Sequence, residues 1–230
     1  MMKNDTRILG PNHEFDTTSW SLIRAVGDVH AFDTFVRIYW KPLYFFVRQH
    51  GADNETAKDI VQEFLTSVLE RGSLTKADPA RGRFRTFLLA ALTNFMKDRQ
   101  KAASRQKRGG DQTILSLDFA DGEREYALEV SSGEPPEKVL HRTWARTLWK
   151  QALAELKGEP SHLEAFKLYM ADVGYEEIGR RTGLTPAAAK MAVHRMKGQL
   201  RDVVQHYILQ TVQDEDELKA EIAEFMGLLS

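Results

Sequence analysis

YEEIGRRTGLTPAAAKMAVHRMKGQLR, residues 175–201, reads as a helix, a tight turn and a second helix. Ile178 and Gly179 give the first helix a small apolar face. Gly183 stands where the turn needs a positive φ, and Leu184 fills the corner. Thr185 offers a side-chain oxygen as N-cap, and Pro186 suits the first helical position, where no N–H partner is lost. In the second helix Ala189, Val193, Met196 and Leu200 recur at helical spacing and should face inward. Ala187, Ala188, Lys190, Met191, His194 and Arg195 remain to point outward, behind the cap at Thr185. Small residues followed by cations suit a helix lying in a DNA major groove. An ordinary helical hairpin with a solvated basic face is the plainer alternative. The turn glycine, the Thr-Pro start and the compact inner face together favour duplex reading.

The surrounding chain is that of a globular protein. Its 230 residues make one large domain or two small ones, with 42% hydrophobic and 28% charged residues. The absence of cysteine excludes disulfides and thiolate metal sites and fits a reducing compartment. No apolar run has the length of a signal peptide or a membrane span, so a cytoplasmic location is expected. The net charge of −1 conceals a strong segregation. Between Arg83 and Arg108 eight cations face a single acid, Asp98, while acids collect in Asp118–Glu137 and Asp214–Glu224.

Periodicity predicts an all-α fold in two helical domains. Residues 1–17 read as an arm. A short helix with Trp20, Ile23 and Val26 follows, then helices over His30–Gln49, Asn54–Glu70 and Arg83–Ser104, forming a domain over 18–108. Pro42 should kink or break the first long helix near Trp40. Asp53 should cap the next, whose stripe runs from Ala57 to Leu69. The polar, acidic segment 109–136 reads as a linker containing an extended piece, Ile114–Phe119. A second domain over 137–208 holds helices at Glu137–Leu156 and His162–Asp172 and then the helix-turn-helix. Residues 209–230 read as an acidic C-terminal helix with Leu218, Ile222, Phe225 and Met226 on its apolar edge.

A second nucleic-acid signal lies in FRTFLLAALTNFMKDRQKAASRQKR, residues 84–108. Phe84 and Phe87 fit the buried face. Asn94, Lys97, Asp98, Arg99 and Lys101 lie within two turns of one another on the polar face. Amide and carboxylate groups can read base edges while cations hold phosphates, so this face could grip an unstacked strand.

These pieces, in this order, resemble a sigma factor of bacterial RNA polymerase, of the compact extracytoplasmic-function (ECF) type. The resemblance covers about residues 18–108 and 137–208. It rests on Asp59-Ile-Val-Gln-Glu63 followed by Phe64-Leu65, on Phe84-Arg-Thr-Phe-Leu88 with Asn94 and Asp98, and on Tyr175-Glu-Glu-Ile178 with Lys190 and His194-Arg195. It implies that Asp59, Gln62 and Glu63 meet the β′ clamp helices of core polymerase. It likewise implies that Asn94, Asp98 and Arg99 read the melted −10 element and that the helix-turn-helix reads the −35 duplex and touches the β flap. Three departures stand out. Lys58 occupies a position that is usually acidic, Ala192 one where arginine is common, and the linker is long and the C-terminal helix extra to the pattern. Thr56 also lies where an acid is common, so a Ser/Thr kinase could supply the missing charge there; an anti-sigma factor is the other regulatory partner the family uses.

No catalytic constellation, phosphate loop or histidine spacing for a metal is present, so neither an enzyme nor a cofactor is expected. The competing reading is an autonomous helix-turn-helix regulator whose N-terminal half senses a signal or dimerises.

Overall fold

The computed structural model describes residues 29–71, 83–103, 117–129 and 133–229. Every regular element among them is a helix: α1 (Val29–Gln49), α2 (Asn54–Arg71), α3 (Phe84–Ala103), α4 (Phe119–Glu129), α5 (Pro136–Ala154), α6 (Pro160–Met170), α7 (Tyr175–Thr182), α8 (Pro186–Leu209) and α9 (Glu215–Leu228). None is long and apolar enough to cross a membrane. The arm, the helix expected around Trp20 and the stretch Lys107–Gly110 lie outside the described residues. Backbone contacts group the described residues into two units, 148–207 and 29–147 with 208–229.

The larger unit is built on α1, an unusually apolar helix. Phe35, Leu43, Tyr44, Phe45, Phe46 and Val47 are almost wholly buried, which identifies a helix covered on several sides. The helix is not broken at Pro42, which lies inside it. Proline in a helix interior costs about 3 kcal/mol; burial of Ile38 to Val47 around it outweighs that cost. Asp53 caps α2 as expected, accepting the Thr56 N–H at 2.7 Å. The α2 stripe is buried from Ala57 to Val68, but Leu69 turns outward and is 37% exposed. Phe84, at the start of α3, meets Tyr39 edge-on at 5.4 Å and Phe35 at 6.3 Å.

The segment read as a linker contains α4. Asp118 caps it, accepting the Asp121 N–H at 3.0 Å. Phe119 packs edge-on against Trp40 at 5.3 Å, and Tyr126 against Phe45 at 5.4 Å. Its acids face cations of α1: Lys41 lies 2.9 Å from Asp121 and 3.2 Å from Glu125, and Arg48 lies 2.8 Å from Glu123. The clustered acids that suggested a solvated linker are therefore the counterions of a neighbouring helix.

The C-terminal helix belongs to this unit as well. Asp214 caps α9 by accepting the Glu217 N–H at 2.8 Å, and Glu217 accepts the Gln213 N–H at 2.7 Å. Leu218, Ile222 and Phe225 are buried, whereas Met226 is 37% exposed. Backbone contacts divide the chain at 147/148 and 207/208, beside the domain limits 137 and 208 expected from the sequence. α5 starts in the larger unit, where Val139, Leu140 and Trp144 are buried, and ends in the smaller one.

The smaller unit holds α7 and α8, joined by a short turn. Gly183 closes α7 at φ 74°, in the left-handed region that disfavours a side chain. A Cβ on Gly179 would lie 2.6 Å from the Leu184 carbonyl oxygen, so the two helices meet at a point only glycine fits. Thr185 Oγ1 accepts the Ala188 N–H at 3.2 Å, and α8 starts on Pro186. Ile178, Ala189, Val193, Met196 and Leu200 are buried, as the spacing predicts.

Candidate nucleic-acid interface

The first candidate face is the start of α8. Ala187, Lys190, Met191, His194 and Arg195 are exposed, Ala188 is half-buried, and Thr185 is exposed with its hydroxyl engaged in the cap. Met191 stands out among them at 56% exposure, an apolar contact surface between cations. Among the described residues no carboxylate lies within ion-pair distance of Lys190, His194 or Arg195. Ala192 is fully buried. The position faces the core, so the lack of arginine there takes nothing from the outward face. Sequence reasoning also missed Lys197, whose ammonium donates to the Tyr169 hydroxyl at 2.7 Å and lies 4.2 Å from its ring centre. In α7 the acids lead and the cations follow, matching the helix dipole. Glu177 is lowered from its ordinary carboxylate value chiefly by its hydrogen bond from Arg181; desolvation opposes this, and the charges of Arg180 and Arg181 add to it.

The second candidate face spans α2 and α3. Asn94, Lys97, Asp98 and Lys101 are exposed, and Arg99 is half-buried. Asp98 lies 3.7 Å from Lys101. Arg99 reaches across to α2, 3.5 Å from Glu63 and 3.9 Å from Asp59. Two sets that the sequence kept apart, the strand-reading residues and the set Asp59, Gln62 and Glu63, thus adjoin through one guanidinium, which faces the carboxylates of Asp59 and Glu63. At these distances and exposures the pairs are weak and exchangeable.

Thr56 is exposed in the first turn of α2, but its surroundings are already acidic. Asp53 accepts both its N–H and its hydroxyl, and these bonds hold the Asp53 carboxyl below its usual range. Lys58 pairs with Glu55 at 2.7 Å, so its charge is compensated within the same turn.

Not every cation near α3 is available to a ligand. Arg85 is buried, donating to Glu221 at 2.5 Å, 3.0 Å from Glu224, with its guanidinium 3.7 Å from the centre of the Trp144 ring. Arg83 pairs with Glu224 and lies 3.2 Å from Glu221. His141 Nδ1 lies 3.0 Å from Glu224. Burial raises Glu221; on Glu224 burial acts the same way, but Arg85, His141 and Arg83 outweigh it and leave the group lowered.

Residues 35–106, which span most of α1 and all of α2 and α3, match the family model for sigma-70 region 2. The match supports a member of the sigma-factor family. It covers the second candidate face entirely, including Asp59, Glu63, Asn94 and Arg99, and it ends before α4. No curated protein and no solved structure matches the chain.

Proposed function

We propose that the chain is a sigma factor of the compact ECF type, which brings core RNA polymerase to promoters and melts their −10 element. The observation that carries this reading is the sigma-70 region 2 match over residues 35–106, on the helix pair where Arg99 adjoins Asp59 and Glu63. In this reading Asp59, Gln62 and Glu63 meet the basic β′ clamp helices. Asn94, Lys97, Asp98 and Lys101 take the displaced strand. The α8 face, from Ala187 to Arg195, reads the −35 duplex, and a neighbouring surface touches the β flap. The polymerase performs the chemistry, so the protein needs no catalytic residue of its own.

Arg99 gives the two surfaces a mechanical link. Half-buried ion pairs as long as 3.5–3.9 Å are loose. Clamp cations that took over Asp59 and Glu63 would leave the guanidinium to a phosphate on the strand beside it. Strand capture would then follow polymerase docking.

The test is transcription in vitro with core polymerase, with start sites mapped and gel shifts run with and without the polymerase. Initiation from defined start sites only in the presence of this chain is the expected result. Tight, sequence-specific binding by the free protein without such initiation would favour an autonomous regulator. Within the same assay, Asn94→Ala should lower permanganate reactivity of thymines in the melted region while polymerase co-elution stays intact.

A further inference from the structure

The first turns of α8 carry little that can hydrogen-bond a base. Thr185 Oγ1 is taken up by the cap, where it accepts the Ala188 N–H at 3.2 Å. From Pro186 to Met191 only Lys190 bears a strong hydrogen-bonding group. Yet this is the end of such a helix that meets base edges when it lies in a major groove. What it exposes there is apolar: Ala187, and Met191 at 56%.

Successive residues of an α-helix stand about 100° apart around its axis and about 1.5 Å apart along it. Ala187 and Met191 therefore form one strip, about 40° wide and about 6 Å long. Lys190 lies about 80° to one side of the centre of this strip, and Arg195 about 60° to the other. Ala189, Ala192 and Val193 are buried and fix which side of the helix faces outward. Among the described residues no carboxylate lies within ion-pair distance of either flanking cation.

An apolar strip between two such cations matches the major groove in cross-section. Phosphates stand along both walls of the groove, and the one apolar group on its floor is the thymine C5-methyl. A strip about 6 Å long covers about two base pairs at about 3.4 Å each. The unbranched thioether of Met191 can adapt its shape to such a methyl.

We propose that Met191, with Ala187, selects thymine: the strip packs on the C5-methyl groups of one or two adjacent thymines in the −35 duplex. This rests on the reading of α8 as the −35 helix of a sigma factor, and names the base that this helix takes by apolar contact.

Deoxyuridine pairs as thymidine does and lacks only that methyl. A promoter found by start-site mapping is rebuilt with deoxyuridine for every thymidine upstream of the melted region. Initiation with core polymerase is then compared on the two templates at subsaturating protein. Burying one methyl is worth about a fourfold change. The wild type should therefore initiate about four- to fifteenfold less well on the uracil template. Met191→Ser should be weak on both and distinguish them by about twofold or less. Met191→Leu keeps an apolar side chain and should keep the discrimination. Equal initiation by the wild type on both templates overturns the proposal and leaves the sigma reading standing. An equal fold-loss in the wild type and Met191→Ser traces the effect to the DNA itself and also overturns it. If Met191→Ser initiates too weakly to compare, Met191→Leu decides, and its failure to discriminate overturns the proposal. Failure of the wild type to initiate on any unmodified template overturns both readings.

Discussion

Two helices of this chain begin or end in basic clusters, and they use their charge differently. At α3 three arginines are turned onto the protein's own acids: Arg83 and Arg85 onto Glu221 and Glu224, Arg99 onto Asp59 and Glu63. At α8, Lys190, His194 and Arg195 stand exposed with no carboxylate in reach among the described residues. A count of charges along the sequence makes the two helices look alike. Geometry separates cations that hold the fold from cations left for a ligand. Burial decides which is which, because a buried charge without its partner is costly and an exposed one is not.

The largest test of this contrast is Arg85→Ala. It strands Glu221, whose side chain is 6% exposed, without its main counterion. The expected loss is about 3–5 kcal/mol in urea unfolding. Arg85→Met with Glu221→Leu removes both charges and should restore most of that loss, since a buried ion pair is seldom better than a packed apolar pair. Arg195→Ala on α8, by contrast, should leave the unfolding midpoint within about 0.5 kcal/mol of the wild type. Similar losses from Arg85→Ala and Arg195→Ala would erase the distinction between the two helices.

The smaller unit depends on steric fit instead of charge. Gly179→Ala places a methyl 2.6 Å from the Leu184 carbonyl oxygen, against backbone that cannot rotate away. The helices must separate or the turn must shift, at a cost of about 1–3 kcal/mol. The Tm should fall accordingly, and duplex binding with it. An unchanged Tm would mean that the turn around Leu184 yields freely.

This difference also explains what was legible in the sequence. The α7–α8 segment is specified by neighbours: Gly183 for the turn, Thr185 for the cap, Pro186 for the first helical residue, and Ala189, Val193 and Met196 for the inner face. Each acts within a few residues, so spacing reveals it, and the structure places them as read. The larger unit depends on pairs far apart in the chain. Arg85 and Glu221 are 136 residues apart, and Lys41 and Asp121 are 80 apart. No periodicity connects such partners. α4 was missed because its many acids, between Gly109-Gly110 and the Gly-Glu-Pro-Pro at Gly133, resembled a loop. Gly122 is small because a Cβ there would sit 3.0 Å from the Trp40 ring. Asp118, followed by an acidic first turn, was a cap signal that could have revealed the helix. Arg99 was assigned to the DNA face by its charge, and only the fold brings it beside Asp59 and Glu63.

On α8 the free cations should separate into two kinds. If Lys190 holds only phosphate, Lys190→Ala weakens binding equally across sequences and reduces the salt slope by about 1. If Arg195 reads a base, Arg195→Ala relaxes selection at one position by about 1–3 kcal/mol. Titrations of duplexes varied one pair at a time, at several salt concentrations, distinguish these outcomes. Uniform losses from both variants would reduce the face to a phosphate clamp.

The smallest effect belongs to the paired side of the contrast, at His141. Burial lowers its affinity for a proton and Arg85 lowers it further, with a smaller push from Arg83; the hydrogen bond and charge of Glu224 oppose them without reversing the shift. Glu134, Glu137, Lys138 and Arg142 line the same groove. The folded imidazole therefore titrates below its unfolded value of about 6.5. As pH falls through that value the unfolded chain takes up the proton first, so stability present above it is lost below it. Glu221 acts in the opposite sense, since burial raises its carboxyl and protonation relieves a buried charge. Its window lies above the usual carboxylate value of about 4.3, so part of the loss from His141 is offset at the acid end. The net decline between about pH 7.5 and about pH 5.5 should stay within roughly 1 kcal/mol. His141→Gln removes the titrating ring and leaves Glu221 and Glu224 in place. Urea midpoints of the two proteins at both pH values should show the wild type losing more stability than the variant. Equal losses would assign the acid sensitivity to the carboxylates alone and leave His141 as a neutral hydrogen-bonding partner of Glu224.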